Sequence, residues 1–219
     1  MLGSSFVQVG SGEALDISDA VKVSGLNGLD EGLENFVTTI MVWTGNGYDT
    51  YGYVNKAEAE AWEWPEAGDK WLLSDMSDIA AASMPVGNGF WVNTSGMGTI
   101  TLIGQVPAAA ETSINVTPGF SLLSSPYAKD ISIQDIKVSG LAGLDEGLEN
   151  FVTTIMVWTG NGYDTYGYVN AEEAAAWEWP EAADKWLLSD MSAVAEVTIP
   201  AGAGFWLNTA GTGSVTFTK

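Results

Sequence analysis

Residues 36–54 read FVTTIMVWTGNGYDTYGYV, and residues 151–169 repeat the same letters without a change. The first run, residues 36–44, is β-branched and aromatic, the composition of a strand that packs against a core. Residues 48–54 resume that composition after Gly45-Asn46-Gly47. Asn-Gly between two such runs predicts a hairpin, because both positions of a tight turn tolerate positive φ. The stretch therefore points to β structure, and its exact recurrence points to a duplicated unit.

Working outward, a shift of 115 residues lays residues 21–104 on residues 136–219 without a gap, and 62 of these 84 positions are identical. Upstream, one gap moves the offset to 114 and sets Phe6 on Phe120, Asp16 on Asp130 and Ile17 on Ile131. Lys219 then corresponds to Gly104 and Met1 to Asn115. Residues 105–114 (QVPAAAETSI) occur once, between the copies. Their Pro-Ala start reads as a connector. Their end, running on into Asn115-Val116-Thr117, reads as a strand. The expected organisation is a β module over residues 1–104, a connector with the first strand of copy two over 105–119, and a second module over 120–219.

Further strands are expected over residues 120–124 and 131–138. Residues 89–94 (GFWVNT) and 99–103 (TITLI) read as a second hairpin around residues 95–98. Residues 56–64 (KAEAEAWEW) break the β pattern with good helix formers and stop at Pro65, which predicts one or two helical turns. The fold class expected is all-β with one short helix per repeat: two tandem β-sandwich or partly closed barrel modules.

Composition excludes much chemistry. Seven basic residues, all Lys, face 28 acidic ones for a net charge of -21, so DNA, RNA and anionic membranes would repel the chain. Cysteine, histidine and arginine are absent, which removes disulfides, thiolate nucleophiles, Ser-His-Asp and Cys-His triads, and the guanidinium fork for phosphate. No GxxxxGK[ST] or GxGxxG is present. A carboxylate pair for glycoside hydrolysis is defined by spatial separation alone and stays open at this point. No enzymatic activity is expected. No apolar run is long enough to span a membrane, and residues 1–10 lack a basic region followed by an apolar one. The expectation is a mature secreted form, outside the cell or on its surface.

Two constellations remain. Asp30, Glu31, Glu34 and Asn35, recurring as Asp145, Glu146, Glu149 and Asn150, offer hard oxygen ligands at close spacing for Ca²⁺, the one candidate ion. They read equally as solvated acidic turns, and the EF-hand spacing is missing. Each copy also carries five Trp. Trp43 and Trp91, inside strands, are expected in the core. Trp62 and Trp64, with Trp177 and Trp179, flank a glutamate near the helix end and are the expected surface pair, for sugar or for a neighbouring subunit.

The segments PVGNGFWVNT and PAGAGFWLNT, together with GFSLLSSPY and the Gly-Gln-Val-Pro connector, resemble the aromatic, Gly-rich β repeats of large bacterial surface and secreted proteins. The resemblance covers most of each copy and implies an extracellular β-sandwich repeat; it supplies no catalytic residues. Its motifs are structural. The function expected is a structural subunit of an extracellular filament, tube or surface layer that polymerises with itself head-to-tail. The supposed contact is an edge strand at Phe6, Val7 and Val9 adding to the last strand, at Val215 and Phe217, of the next subunit. The alternative is a tandem glycan-binding or adhesion module using exposed Trp and Tyr, with avidity from two copies.

Overall fold

The computed structural model of the chain describes residues 4–7, 15–104 and 107–219. Copy one contributes β1 (Ser4–Val7), β2 (Leu15–Asp16), β3 (Val21–Ser24), β4 (Thr38–Trp43), β5 (Tyr48–Val54), β6 (Lys70–Leu73), β7 (Ser83–Met84), β8 (Gly89–Thr94) and β9 (Thr99–Leu102). Copy two contributes β10 (Glu111–Val116), β11 (Gly119–Ser124), β12 (Ile131–Ser132), β13 (Lys137–Ser139), β14 (Thr153–Trp158), β15 (Tyr163–Val169), β16 (Lys185–Leu188), β17 (Thr198–Ile199), β18 (Gly204–Thr209) and β19 (Gly213–Thr218). The short helices are α1 (Ile17–Ala20), α2 (Lys56–Ala61) and α3 (Ala171–Ala176).

Each repeat is built on an antiparallel five-stranded sheet, ordered β1-β8-β4-β5-β6 in copy one and β11-β18-β14-β15-β16 in copy two. Small strand pairs lie across its inner face, β2 with β7 and β3 with β9, and the core is the space between the layers. There Ile40, Tyr53, Trp71, Phe90 and Val92 of the sheet meet Ile17, Val21 and Met84. The sheets do not close into a barrel, so the sandwich-like alternative is the one realised.

The β4–β5 hairpin forms in the expected place, pairing Trp43 with Tyr48 and Thr39 with Gly52. Its turn differs from the expected one: the positive φ falls on Gly45 (103°), and Thr44 N–H donates to Gly47 C=O at 3.0 Å, closing a four-residue loop. Gly52 is required where it stands, because a β-carbon there would lie inside the Phe36 ring.

The helix over Lys56–Ala61 also forms, and its start is a capping box. Asn55 Oδ1 accepts from Glu58 N–H at 2.9 Å and Glu58 accepts from Asn55 N–H at 2.8 Å. The same buried carboxylate accepts from Gly28 and Leu29 N–H at 3.0 and 3.1 Å. One glutamate thus ties the loop before β4 to the helix, and Glu173 does the same in copy two.

Three expectations are corrected. Residues 89–94 and 99–103 are not a hairpin: β8 pairs with β1 and β4, whereas β9 crosses to the other layer and pairs with β3. The strand expected over 131–138 is broken by a 3₁₀ turn at Ile133–Asp135, capped by Ser132 Oγ accepting from Gln134 N–H. Trp43 and Trp91 are not core. They are half-buried on the outer face of the sheet, and the fully buried indoles are Trp71 and Trp186, whose Nε1–H groups donate to Val21 and Ile136 C=O at 3.0 Å each.

Candidate functional site

The half-buried indoles mark where the two repeats meet. Trp43 of copy one stands edge-on to Trp206 of copy two, with ring centroids 5.2 Å apart and planes at 89°. Trp158, the counterpart of Trp43, stands edge-on to Trp91, the counterpart of Trp206, at 6.0 Å and 84°. Tyr48 flanks Trp43 at 5.1 Å, and Tyr163 flanks Trp158 at 5.0 Å. Likewise β1 lies against β18, and β11 against β8. The two contacts are one contact with the repeats exchanged, so the junction has approximate two-fold symmetry. Edge-to-face geometry suits indoles, whose positive rim meets the negative face of the partner. Trp43 Nε1–H finds a further acceptor in Phe120 C=O at 2.8 Å.

The junction leaves a cleft of about 340 Å³ lined by Met41, Tyr48, Trp91, Val92, Asn93, Trp158 and Tyr163. Tyr48 and Tyr163 are each 42 % exposed at its mouth. Tyr48 also borders a cleft of about 480 Å³ with Asp49, Thr50, Tyr51, Leu73, Ser74 and Asp75. Tyr163 borders the matching cleft of about 490 Å³ with Asp164, Thr165, Tyr166, Leu188, Ser189 and Asp190. The three concavities therefore join through two tyrosines. The end clefts are acidic: Asp75 and Asp190 are held below the usual carboxylate range by Ser77 and Ser192, whose hydroxyls each donate at 2.6 Å.

Other expected site residues lie elsewhere. Asp30 Oδ1 accepts from Glu34 and Asn35 N–H, and Oδ2 accepts from the Asn35 side chain at 2.6 Å. The Asn35 amide first, and Glu34 N–H next, hold that carboxyl below its ordinary range; Asp145 repeats the arrangement with Asn150 and Glu149. Both carboxylates serve as turn caps, while Glu31, Glu34, Glu146 and Glu149 point to solvent. Among the described residues no three acidic side chains converge on one point. Trp62 and Trp64 are half-buried against Leu33, Phe36 and Met76, and Trp62 Nε1–H donates to Leu33 C=O at 3.2 Å; Trp177 and Trp179 do likewise in copy two.

The supposed polymer contact is not available as expected. Phe6 and Val7 lie on β1, paired with β8, and Val9 falls outside the described residues. Val215 and Phe217 lie on β19, which is flanked on one side by β13 and on the other by β10. A strand with both neighbours filled has no free edge to offer. The connector strand, which closes copy two, is the reason.

Comparison with protein-family models, with curated proteins and with solved structures finds no match to this chain. The sequence missed Tyr48, Tyr163, Met41 and the junction role of four tryptophans. The signal was present in strand parity: Trp43 shares its face with Met41 and Thr39, opposite buried Ile40, and Trp91 sits between buried Phe90 and Val92.

Proposed function

We propose that this chain is a structural subunit of an extracellular assembly, a filament, tube or surface layer. The observation that carries the reading is the two-fold aromatic junction, in which the outer sheet face of the module mates with a second copy of itself. Such an isologous patch is self-complementary and is consumed by one partner. Growth in one direction must therefore use a different surface, and the junction serves to pair repeats into the building unit. The charge of -21 opposes association between chains, so assembly should need salt or divalent cations to screen it. Light scattering and negative-stain microscopy of the purified chain, taken through NaCl and Ca²⁺ titrations, test this. Extended particles that appear with rising salt support it, and monomers at every condition overturn it.

The joined clefts favour a second reading, a glycan-binding module. Tyr48 and Tyr163 link an aromatic groove to two Tyr- and Asp-lined clefts, a surface on which sugar C–H faces can stack while carboxylates accept hydroxyl protons. The acidic walls favour neutral or cationic polysaccharides over anionic ones. A glycan-dependent change in tryptophan fluorescence that Tyr48→Ala and Tyr163→Ala together abolish would support it.

A further inference from the structure

Two repeats so alike should end in the same way, and they do not. In copy two the last strand, β19, is the middle of three, ordered β10-β19-β13. In copy one the equivalent strand, β9, pairs only with β3 among the described residues. In copy two that second neighbour is Glu111–Val116, which pairs with Thr218 back to Gly213.

The difference shows in burial. Val215 and Phe217 are 0 % and 1 % exposed in the core of copy two, together with Val116 of β10. Their counterparts Ile100 and Leu102 point the same way against the core of copy one but are only half-buried. Ile103, beside them, is 54 % exposed. A ladder edge unpaired among the described residues, and bordered by half-covered aliphatic side chains, is a ready template for another strand.

The groups that hold β10 are also conserved between the copies. Thr216 Oγ1 and Ser113 Oγ share a hydrogen bond of 2.7 Å, and Thr101 stands exposed at the position of Thr216. Lys137 Nζ reaches across β19 to Glu111 Oε1 at 3.2 Å, and Lys22 occupies its place in copy one, where its Nζ donates to Ser18 C=O. In copy two Tyr127 adds a clasp on the segment before β10, its hydroxyl donating to Ala109 C=O at 2.9 Å.

We propose that the edge of β9 left unpaired among the described residues is an acceptor site for a strand of the β10 type, donated by another repeat of this kind. The donor enters antiparallel to β9, in the register of Glu111–Val116 on β19, and sets its Ile114 equivalent beside Ile100, its Thr112 equivalent beside Leu102 and its Val116 equivalent beside Gly98. Its source rests on the assembly reading above; the acceptor edge itself does not.

The test is a labelled peptide of residues 108–117 (AAAETSINVT) titrated with the full chain, read by fluorescence polarisation and by amide hydrogen exchange. Saturable one-to-one binding is expected, with new protection over residues 99–102 and none added over 214–218. A peptide carrying Ile114→Asp and Val116→Asp should bind at least about tenfold more weakly, since each buried aliphatic side chain contributes on that order. A chain with residues 105–114 placed before Met1 should fill its own edge and lose the peptide. Absence of saturable binding, binding indifferent to the aspartates or to the added segment, or protection arising elsewhere, each overturns the proposal. Peptide capture by a chain that never assembles in salt would keep the acceptor edge and remove the assembly reading; assembly without capture would do the reverse.

Discussion

Tyr53 donates its hydroxyl to Asp69 Oδ1 at 3.0 Å, and Tyr168 does so to Asp184. Burial first, then the accepting carboxylate and the nearby charges, hold both phenols protonated far above the ordinary tyrosine range. A group with its folded value raised adds stability that is complete below the unfolded value, near 10 for tyrosine, and is lost as pH rises through the folded value. An alkaline titration followed by phenolate absorbance should therefore show two of the seven tyrosines ionising only as the fold is lost. Replacing both by Phe should delete that late step; two phenols that instead titrate reversibly near 10 in the folded protein would sink the assignment. At this scale the sequence was partly legible. Period-two alternation, a signal the expected Trp43 and Trp91 core did not use, matches the structure, with Ile40 and Phe90 inward and Trp43 and Trp91 outward. Aromatic bulk alone suggested the opposite, since large apolar rings usually fill a core, and here the second repeat supplies the cover that solvent otherwise would not.

At the scale of elements, α2 is held by Glu58 more than by its length, since six residues are too few for a helix to stand on propensity. The carboxylate accepts from three backbone N–H groups on two segments while almost fully buried. Glu58→Gln replaces one acceptor oxygen by a donor facing donors, and should cost about 1–3 kcal/mol in urea unfolding. Glu173→Gln should match it, and Glu60→Gln, on the exposed side of the same helix, should change stability by less than about 0.5 kcal/mol. Equal small losses at all three positions would mean that the carboxylate hub is not what fixes the loop. The helix, the β4–β5 hairpin and the β11 strand were legible because propensity and pattern agree there. Partner choice for β8 and β9 was not: the four residues between them are enough for a hairpin, and only the demand of β3 for a cover, a non-local term, sends β9 across the core.

At the scale of the whole molecule, the ten unrepeated residues QVPAAAETSI were visible in the sequence as an incomplete duplication, and their consequence was not. They carry most of the strand that closes copy two, whereas among the described residues β9 of copy one pairs with β3 alone. The expected head-to-tail growth looked for a free strand at β19, where the connector already sits; the acceptor proposed above is β9. The two-fold junction adds a second constraint, because it pairs the repeats and leaves nothing for a third.

These two features fix what would turn the chain into a polymer. Residues 105–116 placed after Lys219 would leave β19 as the native connector leaves β9, with a donor strand and no module of their own to complete. Inserted into β9 of a second chain, they form a heterologous contact that leaves the second chain's own donor free, and such contacts extend without limit unless they close a ring. The extended chain should form linear oligomers whose length rises with concentration, seen by light scattering and negative stain. At low salt, where its charge keeps the unextended chain from assembling by itself, that chain offers β9 without an added donor, so mixing it in should shorten the strand-exchanged oligomers in proportion to its share. A chain with residues 105–114 before Met1 as well as the extension has a donor and no acceptor, and should also terminate growth, from the other end. Closure within one molecule would instead give a monomer with residues 99–102 protected from exchange. An extended chain that stays monomeric with those amides unprotected, or oligomers whose length ignores both terminators, would show that β9 is not where growth occurs.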